Sequence, residues 1–359
     1  MRVGLTLYGD LEGRSGGFRY DRELVAGLRA AGDEVEVVSL PWRTYPLGLL
    51  DGVSPAVRRR LAVDVDVMLQ DELAHPSLVR HNRRLPYPVV SIIHHLRASE
   101  RRRLAPLYRA IERRYLDTVD GVVCNSTTTR DVVTDLGVDP GTAVVAPPAG
   151  DRFDPDVGPE DAAARAREGP LRVVFVGNLI ERKGLDTLVE AVARARRSEA
   201  VELTAVGRPV DADHVAAVRK TVADRGLGDA VTLAGELSDD ELAATLTESH
   251  VLAVPSRYEG FGIVYLEGMS FGLPAVASAT GGADEVVTDG ETGVLVEPDD
   301  VAGAAALTDL AADRNRLARM SRAARRRYDT HPDWTETTAR VRGLLAAVAD
   351  APERREVAA

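Results

Sequence analysis

The stretch from residue 251 to residue 278, "VLAVPSRYEGFGIVYLEGMSFGLPAVAS", alternates between two kinds of secondary structure. The apolar run 251–255 predicts a buried strand, and a glycine-containing turn follows it. A helix is predicted from about Ile263 to the Gly272-Leu273-Pro274 sequence, where glycine and proline end it. The segment 274–278 predicts a second strand. A strand–helix–strand unit of this length is typical of a parallel sheet.

The same alternation runs through most of the chain and is interrupted once. The segment 147–170, "PPAGDRFDPDVGPEDAAARAREGP", is rich in Pro, Gly and Asp and predicts no strand. We therefore predict an α/β fold with two Rossmann-like doubly wound domains facing across a cleft. The predicted strands are 3–7, 35–40, 65–69, 89–93, 122–124, 143–146, 171–178, 201–207, 230–235, 251–255, 274–278 and 293–296, with helices near 19–31, 99–117, 127–136 and 299–328. The predicted divisions are an N-terminal domain at 1–165, a C-terminal domain at 166–330, a helix at 331–349 that packs back on the N-terminal domain, and a flexible tail at 350–359.

Composition narrows the class of protein. The chain has 359 residues, of which 45% are hydrophobic and 4% aromatic, which suits two globular domains. A net charge of −11 argues against a general nucleic-acid binder, because such proteins are basic. The single cysteine, Cys124, cannot form an intramolecular disulfide, and no apolar run approaches the roughly 18–20 residues that span a bilayer. We expect a cytoplasmic protein.

Two cations follow a predicted strand in "VVFVGNLIERKGLDTLVEA", residues 173–191. Arg182 and Lys183 lie between the carboxyl end of the strand and the start of the next helix, a position that suits an anion such as a diphosphate. Lysine is rare in this chain, which has only Lys183 and Lys220 among 45 basic residues. Its presence in this loop favours a binding function over the alternative, a solvated charged loop.

Two glutamates flank the turn Gly260-Phe261-Gly262. Glu259 precedes the turn, and Glu267 lies inside the helix that follows it. The backbone amides at the helix start, 262–264, are expected to be unpaired donors, and carboxylates accept hydrogen bonds from hydroxyls. A ligand with both phosphates and sugar hydroxyls would satisfy all of these groups. In the alternative interpretation Glu259 only interacts with the helix dipole and Glu267 is solvated.

The first predicted domain carries weaker signals. Gly16 and Gly17 follow its first strand and precede a helix, but the chain contains no GxGxxG sequence, which argues against a dehydrogenase. His94 and His95 end a predicted strand, a position that favours the cleft. In the second domain Gly281-Gly282 again separate a strand from a helix.

These stretches together resemble the family-four retaining glycosyltransferases of the GT-B fold. "SRYEGFGIVYLEGMSFGLPAVASATGGADEVVTDGETGVLVEPDD" (256–300) is similar to their E-x7-E signature region, and "VVFVGNLIERKGLDTLVEAV" (173–192) to their diphosphate loop. "GGFRYDRELVAGLRAAGDEVEVVSL" (16–40) resembles their N-terminal glycine loop and first helix, and "VDGVVCNSTTTRDVV" (119–133) a late strand and helix of their first domain. The resemblance covers residues 2 to about 345 and implies a hexosyltransferase.

The resemblance implies that the second domain binds a nucleotide-diphosphate sugar. Glu267 matches the glutamate that holds the ribose hydroxyls, Glu259 the one beside the transferred sugar, and Lys183 the basic residue on the diphosphate. Many members have Gly-Arg where this chain has Gly177-Asn178, so either Arg182 supplies the missing cation or the diphosphate has one contact fewer. Further matched positions contact the sugar and phosphate (Phe261, Gly262, Ile263, Val264) or the base (Glu236, Leu237).

In the first domain, which the resemblance makes the acceptor-binding one, Gly17 beside Gly16 is expected to approach the phosphates, and His94 the reacting carbon. We expect no metal, because fixed cations and amides can stabilise a diphosphate leaving group. The chain contains two literal D-x-D sequences, 64–66 and 211–213, which we interpret as structural.

The implied reaction transfers a sugar from a UDP- or GDP-sugar to a glycan, lipid or small-molecule acceptor. Three alternatives stay open: a nucleotide-sugar epimerase of the same fold, a glycoside hydrolase that uses Glu259 and Glu267 as its carboxyl pair, and a non-catalytic sugar-nucleotide-binding protein. The arginine-rich stretch 97–114 either contacts the inner face of a membrane or forms a solvated helix face with Glu100 and Glu112 as partners.

Overall fold

The computed structural model describes residues 1–13, 15–99, 104–297 and 303–351. The strands are β1 Arg2–Tyr8, β2 Glu34–Leu40, β3 Val67–Asp71, β4 Val89–Ile93, β5 Gly121–Cys124, β6 Ala143–Val145, β7 Leu171–Val176, β8 Val201–Val206, β9 Val231–Gly235, β10 Val251–Val254, β11 Ala275–Ser278 and β12 Gly293–Val296. The α-helices are α1 Gly16–Ala30, α2 Tyr45–Asp51, α3 Pro55–Arg60, α4 His75–Leu78, α5 Ala105–Leu116, α6 Thr127–Asp135, α7 Pro159–Arg165, α8 Leu185–Ala195, α9 Ala212–Asp224, α10 Asp239–Glu248, α11 Ile263–Ser270, α12 Gly303–Ala312, α13 Arg314–Asp329 and α14 Trp334–Ala349.

The strands form two six-stranded parallel sheets, in the orders β2-β1-β3-β4-β5-β6 and β12-β11-β10-β7-β8-β9. In the first sheet Val3 pairs with Val35 on one side and with Val67 on the other. Central strands such as β4 and β10 are buried along their whole length, as expected for parallel strands covered on both faces by helices. The predicted α/β class with two doubly wound sheets is confirmed.

Each sheet belongs to its own compact unit with its own cluster of buried apolar side chains. Unit 1 comprises Met1–Pro148 and the segment from Pro332 onward, and unit 2 comprises Ala149–His331. The boundary predicted from the sequence, at residue 165, lies seventeen residues after Pro148, where the first part of unit 1 ends. Residues 149–165 belong to unit 2 because α7, which forms inside the Pro-rich segment, packs against α13.

Helix α14 belongs to unit 1, where it packs against α1. A Cβ on Gly27 of α1 would lie 2.3 Å from Oγ1 of Thr338, so the glycine is what allows the two helices to approach closely. At the other end of the contact, Nε of Arg342 donates to Oδ2 of Asp33 at 2.7 Å. The segment after Pro332 therefore completes the unit that the N-terminal half of the chain begins.

The segment predicted as helical, 299–328, contains more than one helix. The structure contains two helices, α12 and α13, which meet at Asp313, and the expected residues 299–302 lie outside the described ranges. Oδ1 of Asp313 accepts a hydrogen bond from the amide of Arg316 at 2.8 Å and so begins a new helix. The apolar pattern continues across this point, and only the capping aspartate marks the break.

Candidate functional site

The strand order of unit 2 changes direction between β7 and β10, which are neighbours in the sheet. The chain proceeds from β7 to β8 and β9 on one side, and then returns to the other side of β7 as β10. In open α/β sheets, ligands bind outside the carboxyl ends of the strands at such a switch point. The loops that follow β7 and β10 carry Lys183 and Glu259, so the fold brings both predicted residues to the same place.

Lys183 and Glu259 form a direct ion pair between Nζ and Oε1. Both side chains are largely buried, with 16% and 10% of their surface exposed. Oγ of Ser256, which the sequence analysis did not select, donates to the same carboxylate oxygen at 2.6 Å. Charge-assisted hydrogen bonds from two donors fix the orientation of this carboxylate.

Opposing influences set the pKa of Glu259. Burial alone raises the pKa, but the charges of Lys183 and Arg182, together with hydrogen bonds from Lys183 and Ser256, outweigh burial and bring it below its ordinary value of 4.5. Glu259 is therefore an anion at neutral pH. In this state the carboxylate accepts hydrogen bonds and has no proton to give to a leaving group.

Arg182 connects the loop after β7 to the loop after β10. Its Nη1 donates to the carbonyl oxygen of Tyr258 at 2.7 Å. The 3₁₀ turn Glu181–Lys183 ends at Gly184, which has a φ of 73°, and a Cβ at this position would lie 2.3 Å from the carbonyl oxygen of Pro255. Because only glycine permits this approach, Gly184 determines how closely the two loops meet.

Helix α11 begins at the glycine turn between the two glutamates. Gly262 caps the helix with a φ of 87°, and a Cβ there would lie 2.4 Å from the ring of Tyr265. Phe261 is buried beside it. The amides of Ile263 and Val264 belong to the first turn of the helix, where backbone donors have no partner within the helix. Such a helix start favours an anionic ligand.

Glu267 lies buried one turn into α11. Nη1 of Arg152 lies 3.9 Å from its Oε2, and Arg152 also forms an ion pair with Asp239. Gly150 sits directly against α11, since a Cβ at this position would lie 2.5 Å from Cβ of Leu266. The sequence analysis missed Arg152 because the surrounding Pro/Gly/Asp-rich segment carries no local pattern that marks a site.

A third glycine turn supports the backbone of Glu259. The carbonyl oxygen of Glu259 accepts from the amide of Gly282 at 2.9 Å. Gly281 forms an isolated bridge with Glu259 at a φ of 91°, and a Cβ on Gly281 would lie 2.0 Å from that carbonyl oxygen. The two glycines after β11 therefore hold the loop that carries the glutamate.

The positions expected at a nucleotide base, Glu236 and Leu237, follow β9 at the carboxyl end of the sheet. Strand β9 is the edge strand, two places away from β7. The structure thus places these residues at the same edge of the sheet as Lys183, separated from it by the width of β8.

Unit 1 has a comparable switch point between β1 and β3. Gly16 and Gly17 form the start of α1, whose first amides face a cap provided by Ser15. A Cβ on Gly17 would lie 3.2 Å from Cδ2 of His94, so the absence of a side chain makes room for the imidazole. The predicted glycine loop and the predicted histidine are neighbours in the structure.

Three carboxylates that the sequence analysis did not select lie around His94. Glu72 accepts hydrogen bonds from the backbone amides of His94 and His95, the second at 2.8 Å. Oδ1 of Asp21 lies 3.7 Å from Nε2 of His94. Burial raises the pKa of Asp21 to about 7, and burial together with the charge of Asp21 raises that of Asp71 to about 8. The signal in the sequence that could have indicated this cluster is the position of Asp21 on the inner face of a predicted helix.

The two D-x-D sequences have structural partners. Nη2 of Arg2 contacts Oδ1 of Asp66 at 3.0 Å, and Arg2 also pairs with Asp64, at the amino end of the first sheet. Oδ1 of Asp211 accepts from the amide of His214 at 3.0 Å and caps α9. The first sequence precedes β3, whereas the second follows β8 and so lies at the carboxyl end of its sheet. Their interpretation as structural therefore rests on the partners of the carboxylates: Arg2 for the first and the first turn of α9 for the second.

The arginine-rich stretch is described only in part, since Glu100 and Arg101 to Arg103 lie outside the described residues. Glu112 of α5 is buried, and its carboxylate accepts from the amide of Arg97 at 2.8 Å. Its expected place on a solvated helix face is therefore wrong, because it binds backbone amides in the interior of unit 1. Within the described ranges, no helix combines the length and apolarity that a membrane span requires.

Comparison with known proteins adds independent information. The family model "Glycosyltransferase Family 4" matches residues 14–151, and the model "Glycosyl transferases group 1" matches residues 158–327. Glycogen synthase of Mycobacterium tuberculosis is 38% identical over 189 residues, which cover 52% of this chain and 45% of the relative. A GDP-mannose-dependent α-(1-6)-phosphatidylinositol monomannoside mannosyltransferase of the same organism is 33% identical over 261 residues, which cover 67% of this chain and 66% of the relative.

The alignments thus span about half of the first relative and about two thirds of the second. Among solved structures, sucrose-phosphate synthase from Thermosynechococcus elongatus superposes with a TM-score of 0.81 at 23% identity, covering 96% of this chain and 99% of that one, which shows a shared fold. The two family models match consecutive parts of the chain that correspond closely to unit 1 and unit 2. The chain belongs to the family-four glycosyltransferases of the GT-B fold.

Proposed function

We propose that this chain is a retaining glycosyltransferase that moves a sugar from a UDP- or GDP-sugar to a glycan, lipid or small-molecule acceptor. The observation that carries the proposal is the Lys183–Glu259 ion pair at the switch point of unit 2, beside the helix start of α11. The names of the relatives agree with this class, since one is GDP-mannose-dependent and acts on a phosphatidylinositol mannoside, and the other is a glycogen synthase.

The cations of this site suit a diphosphate leaving group. Cleavage of the bond between the sugar and the phosphate places negative charge on the diphosphate oxygens, and charges fixed in advance stabilise it without reorganisation. Lys183 and Arg182 supply cations on one side, and the first amides of α11 supply donors on the other. A pair of unit charges about 4 Å apart interacts by roughly 4 kcal/mol at an effective dielectric constant of about 20, and we propose that these fixed cations take the place of a metal ion in this step.

The carboxylates suit the hydroxyl groups of a nucleotide sugar. Glu267 binds the ribose hydroxyls, and the ionised Glu259 accepts a hydrogen bond from the transferred sugar. The backbone from Phe261 to Val264 contacts sugar and phosphate, and the backbone at Glu236 and Leu237 lies by the base. For unit 1 we retain the roles that the resemblance implies, Gly17 near the phosphates and His94 near the reacting carbon.

The state of Glu259 weighs against a glycoside hydrolase. Such an enzyme needs one carboxyl group that holds a proton for the leaving group and a second that is ionised. Glu259 is ionised and in contact with Lys183, and Glu267 lies beside Arg152. Glu259 therefore has no proton to give to a leaving group, so it cannot serve as the acid of such a pair.

The first test is a thermal-shift and calorimetric screen with UDP, GDP, ADP and their sugars, with EDTA present. We expect one nucleoside diphosphate to raise the unfolding temperature and to bind at one equivalent. The Lys183→Met variant should respond much less, whereas Lys220→Met, a change of the other lysine on an exposed part of α9, should respond like the parent protein. A lack of response to every nucleotide would contradict the proposal.

A second test separates transfer from its rivals. The nucleotide sugar selected by the screen is incubated with and without mixtures of glycan, lipid and small-molecule acceptors, and the products are analysed by NMR. Acceptor-dependent donor consumption with an unchanged anomeric configuration is the expected result. An inverted configuration would exclude a retaining enzyme, and conversion of the donor to another nucleotide sugar without acceptor would indicate an epimerase.

A further inference from the structure

Three side chains with metal-binding atoms meet at the switch point of unit 1. Asp21 projects from α1, Asp71 ends β3, and His94 follows β4. Each offers one ligand atom, and these three atoms lie within 4.8 Å of one another. The residues come from elements that the first sheet places side by side, since β1, which leads into α1, is the neighbour of β3, and β3 is the neighbour of β4.

The polar atoms of this cluster are buried without partners. Asp21 and Asp71 have 0% and 1% of their surface exposed. Within the described part of the chain, no hydrogen-bond partner from outside the cluster reaches either carboxylate oxygen of Asp21 or Nε2 of His94, and Asp21 faces the carboxyl group of Asp71. Buried polar atoms are nearly always paired, because an unpaired one costs free energy. The missing partner is therefore expected to be a bound species.

The neighbouring residue Glu72 is a buried carboxylate with a structural role, and it differs from Asp21 in its hydrogen bonds. Both oxygens of Glu72 accept backbone amides of the loop that carries His94 and His95. Asp71 accepts one amide, that of Leu73, at 2.7 Å, and Asp21 accepts none. Glu72 thus holds the loop in place, whereas Asp21 serves no such purpose for the backbone.

The charge balance also points to a cation. Among the described residues, no lysine or arginine forms an ion pair with Asp21 or Asp71, and the basic group that comes within 4 Å of Asp21 is the imidazole of His94, at 3.7 Å. Two adjacent buried carboxylates repel each other, and burial makes each more costly. A divalent cation offsets both charges at once.

We propose that Asp21, Asp71 and His94 bind one divalent transition-metal ion. Two carboxylate oxygens and one imidazole nitrogen suit Zn²⁺ or Mn²⁺ better than Mg²⁺ or Ca²⁺, which prefer oxygen ligands alone. Around a tetrahedral ion with bonds of about 2.1 Å, neighbouring ligand atoms lie about 3.4 Å apart. Shifts of about 0.7 Å in each of two side chains therefore close the longest separation in the cluster and complete the site. Gly17 leaves space beside the imidazole, since a Cβ there would lie 3.6 Å from Nε2.

This site shares His94 with the proposed function and has no residue in unit 2. Its other two ligands, Asp21 and Asp71, have no role in donor binding, and their burial is independent of the identity of the donor. Bound metal would tie α1, β3 and the loop after β4 to one another and would fix the orientation of the His94 ring.

The test measures metal directly. The full chain, free of any affinity tag, is stripped with a chelator, dialysed against buffered Zn²⁺, Mn²⁺, Co²⁺ or Mg²⁺, and analysed for metal content. We expect one equivalent of Zn²⁺, Mn²⁺ or Co²⁺ per chain, a higher unfolding temperature than that of the stripped protein, a visible Co²⁺ absorption band that reports protein ligands, and no stoichiometric Mg²⁺. Stripped protein that takes up no metal, with an unchanged unfolding temperature, would overturn the proposal.

Variants locate the metal. Asp71→Asn and His94→Gln are each expected to weaken Zn²⁺ binding at least about tenfold. Asp64→Asn is the matched control, because it makes the same change in an acidic residue that is 89% exposed and paired with Arg2; it should bind like the parent protein. A cooperative thermal unfolding transition in each stripped variant shows that the variant folds. If Asp71→Asn fails to fold, His94→Gln provides the test. Equal affinity in all variants, or an equal loss in the control, would place the metal elsewhere and refute the site.

Discussion

The two switch points of the molecule have similar backbones and different charges. In unit 2, β7 lies between β8 and β10, and in unit 1, β1 lies between β2 and β3, so in each unit the chain leaves its first strand in one direction and returns on the other side. Unit 2 neutralises the buried Glu259 with Lys183. Unit 1 gathers Asp21 and Asp71 with no lysine or arginine partner among the described residues.

This difference shows what topology determines and what it leaves to the side chains. The strand order determines where polar groups gather. At a switch point, the loops that follow two neighbouring parallel strands run in opposite directions and leave a crevice between them. The balance of charge at that place then selects the ligand. Cations and helix amides in unit 2 favour an anionic ligand, and uncompensated carboxylates in unit 1 favour a cation.

The largest expected effect concerns catalysis in unit 2. Lys183→Met should lower the turnover number for sugar transfer by about a hundredfold or more, because a preorganised charge on the leaving group is lost. The dissociation constant of the donor should change less than the turnover number. Steady-state kinetics alongside calorimetry measure the two quantities, with Lys220→Met as the control. Nearly full activity in Lys183→Met would show that the charge of Lys183 does not act on the leaving group, and the proposed difference in ligand between the two switch points would be wrong.

The next effect concerns stability, and it compares the two switch points directly. Lys183→Met leaves Glu259 buried without its cation, which should lower the free energy of unfolding by about 3 kcal/mol. Asp21→Asn in metal-free protein changes a carboxyl group that has no lysine or arginine partner among the described residues and should cost far less. Chemical denaturation of both variants measures the difference. A double variant, Lys183→Met with Glu259→Gln, should recover part of the loss, and strictly additive effects would show that the two residues do not interact.

A smaller effect is expected for donor affinity. Glu267→Ala should raise the dissociation constant of the nucleotide about tenfold, equivalent to about 1.4 kcal/mol, because the buried carboxylate no longer accepts hydrogen bonds from the ribose. Calorimetry with the diphosphate measures this change, and Glu291→Ala, at an exposed turn, is the control. A larger effect on turnover than on affinity would move Glu267 from ribose binding to the reacting groups.

The smallest effect is a dependence of stability on pH. The pKa of Glu259 in the folded chain lies below its ordinary value of 4.5, so its contribution is fully present above about that pH. The contribution is lost as the pH falls through the folded pKa. The midpoint of thermal unfolding should therefore fall more steeply below pH 4.5 in the parent protein than in Lys183→Met, and parallel curves would show that Glu259 is not stabilised by the lysine.

Much of the fold and of the unit 2 site follows from short-range patterns. Apolar runs give the strands, and glycines mark the turns after them, because positions such as Gly184, Gly262 and Gly281 need positive φ values or close backbone approach. The resemblance to a known family adds the assignment of Glu259 and Lys183, and the structure brings these two residues together.

The rest depends on contacts between distant parts of the chain. Asp21 and Asp71 are fifty residues apart and become neighbours only because β3 pairs with β1. Arg152 reaches Glu267 from a segment that has no periodicity of its own. The boundary at Ala149 depends on α7 packing against α13. Local sequence cannot indicate such pairings, because they follow from the order of strands in the sheet and from the packing of helices.

The position of α14 has a consequence for the way the protein is made. The polypeptide emerges from the ribosome N-terminus first, so all of unit 2, Ala149–His331, is synthesised before the helix that completes unit 1. The contacts of Gly27 with Thr338 and of Asp33 with Arg342 can therefore form only after unit 2 has been synthesised. Translation that stops between His331 and Trp334 would release a chain in which unit 2 is complete and unit 1 lacks a packing helix. Unit 1 can therefore complete its folding only after α14 has been synthesised.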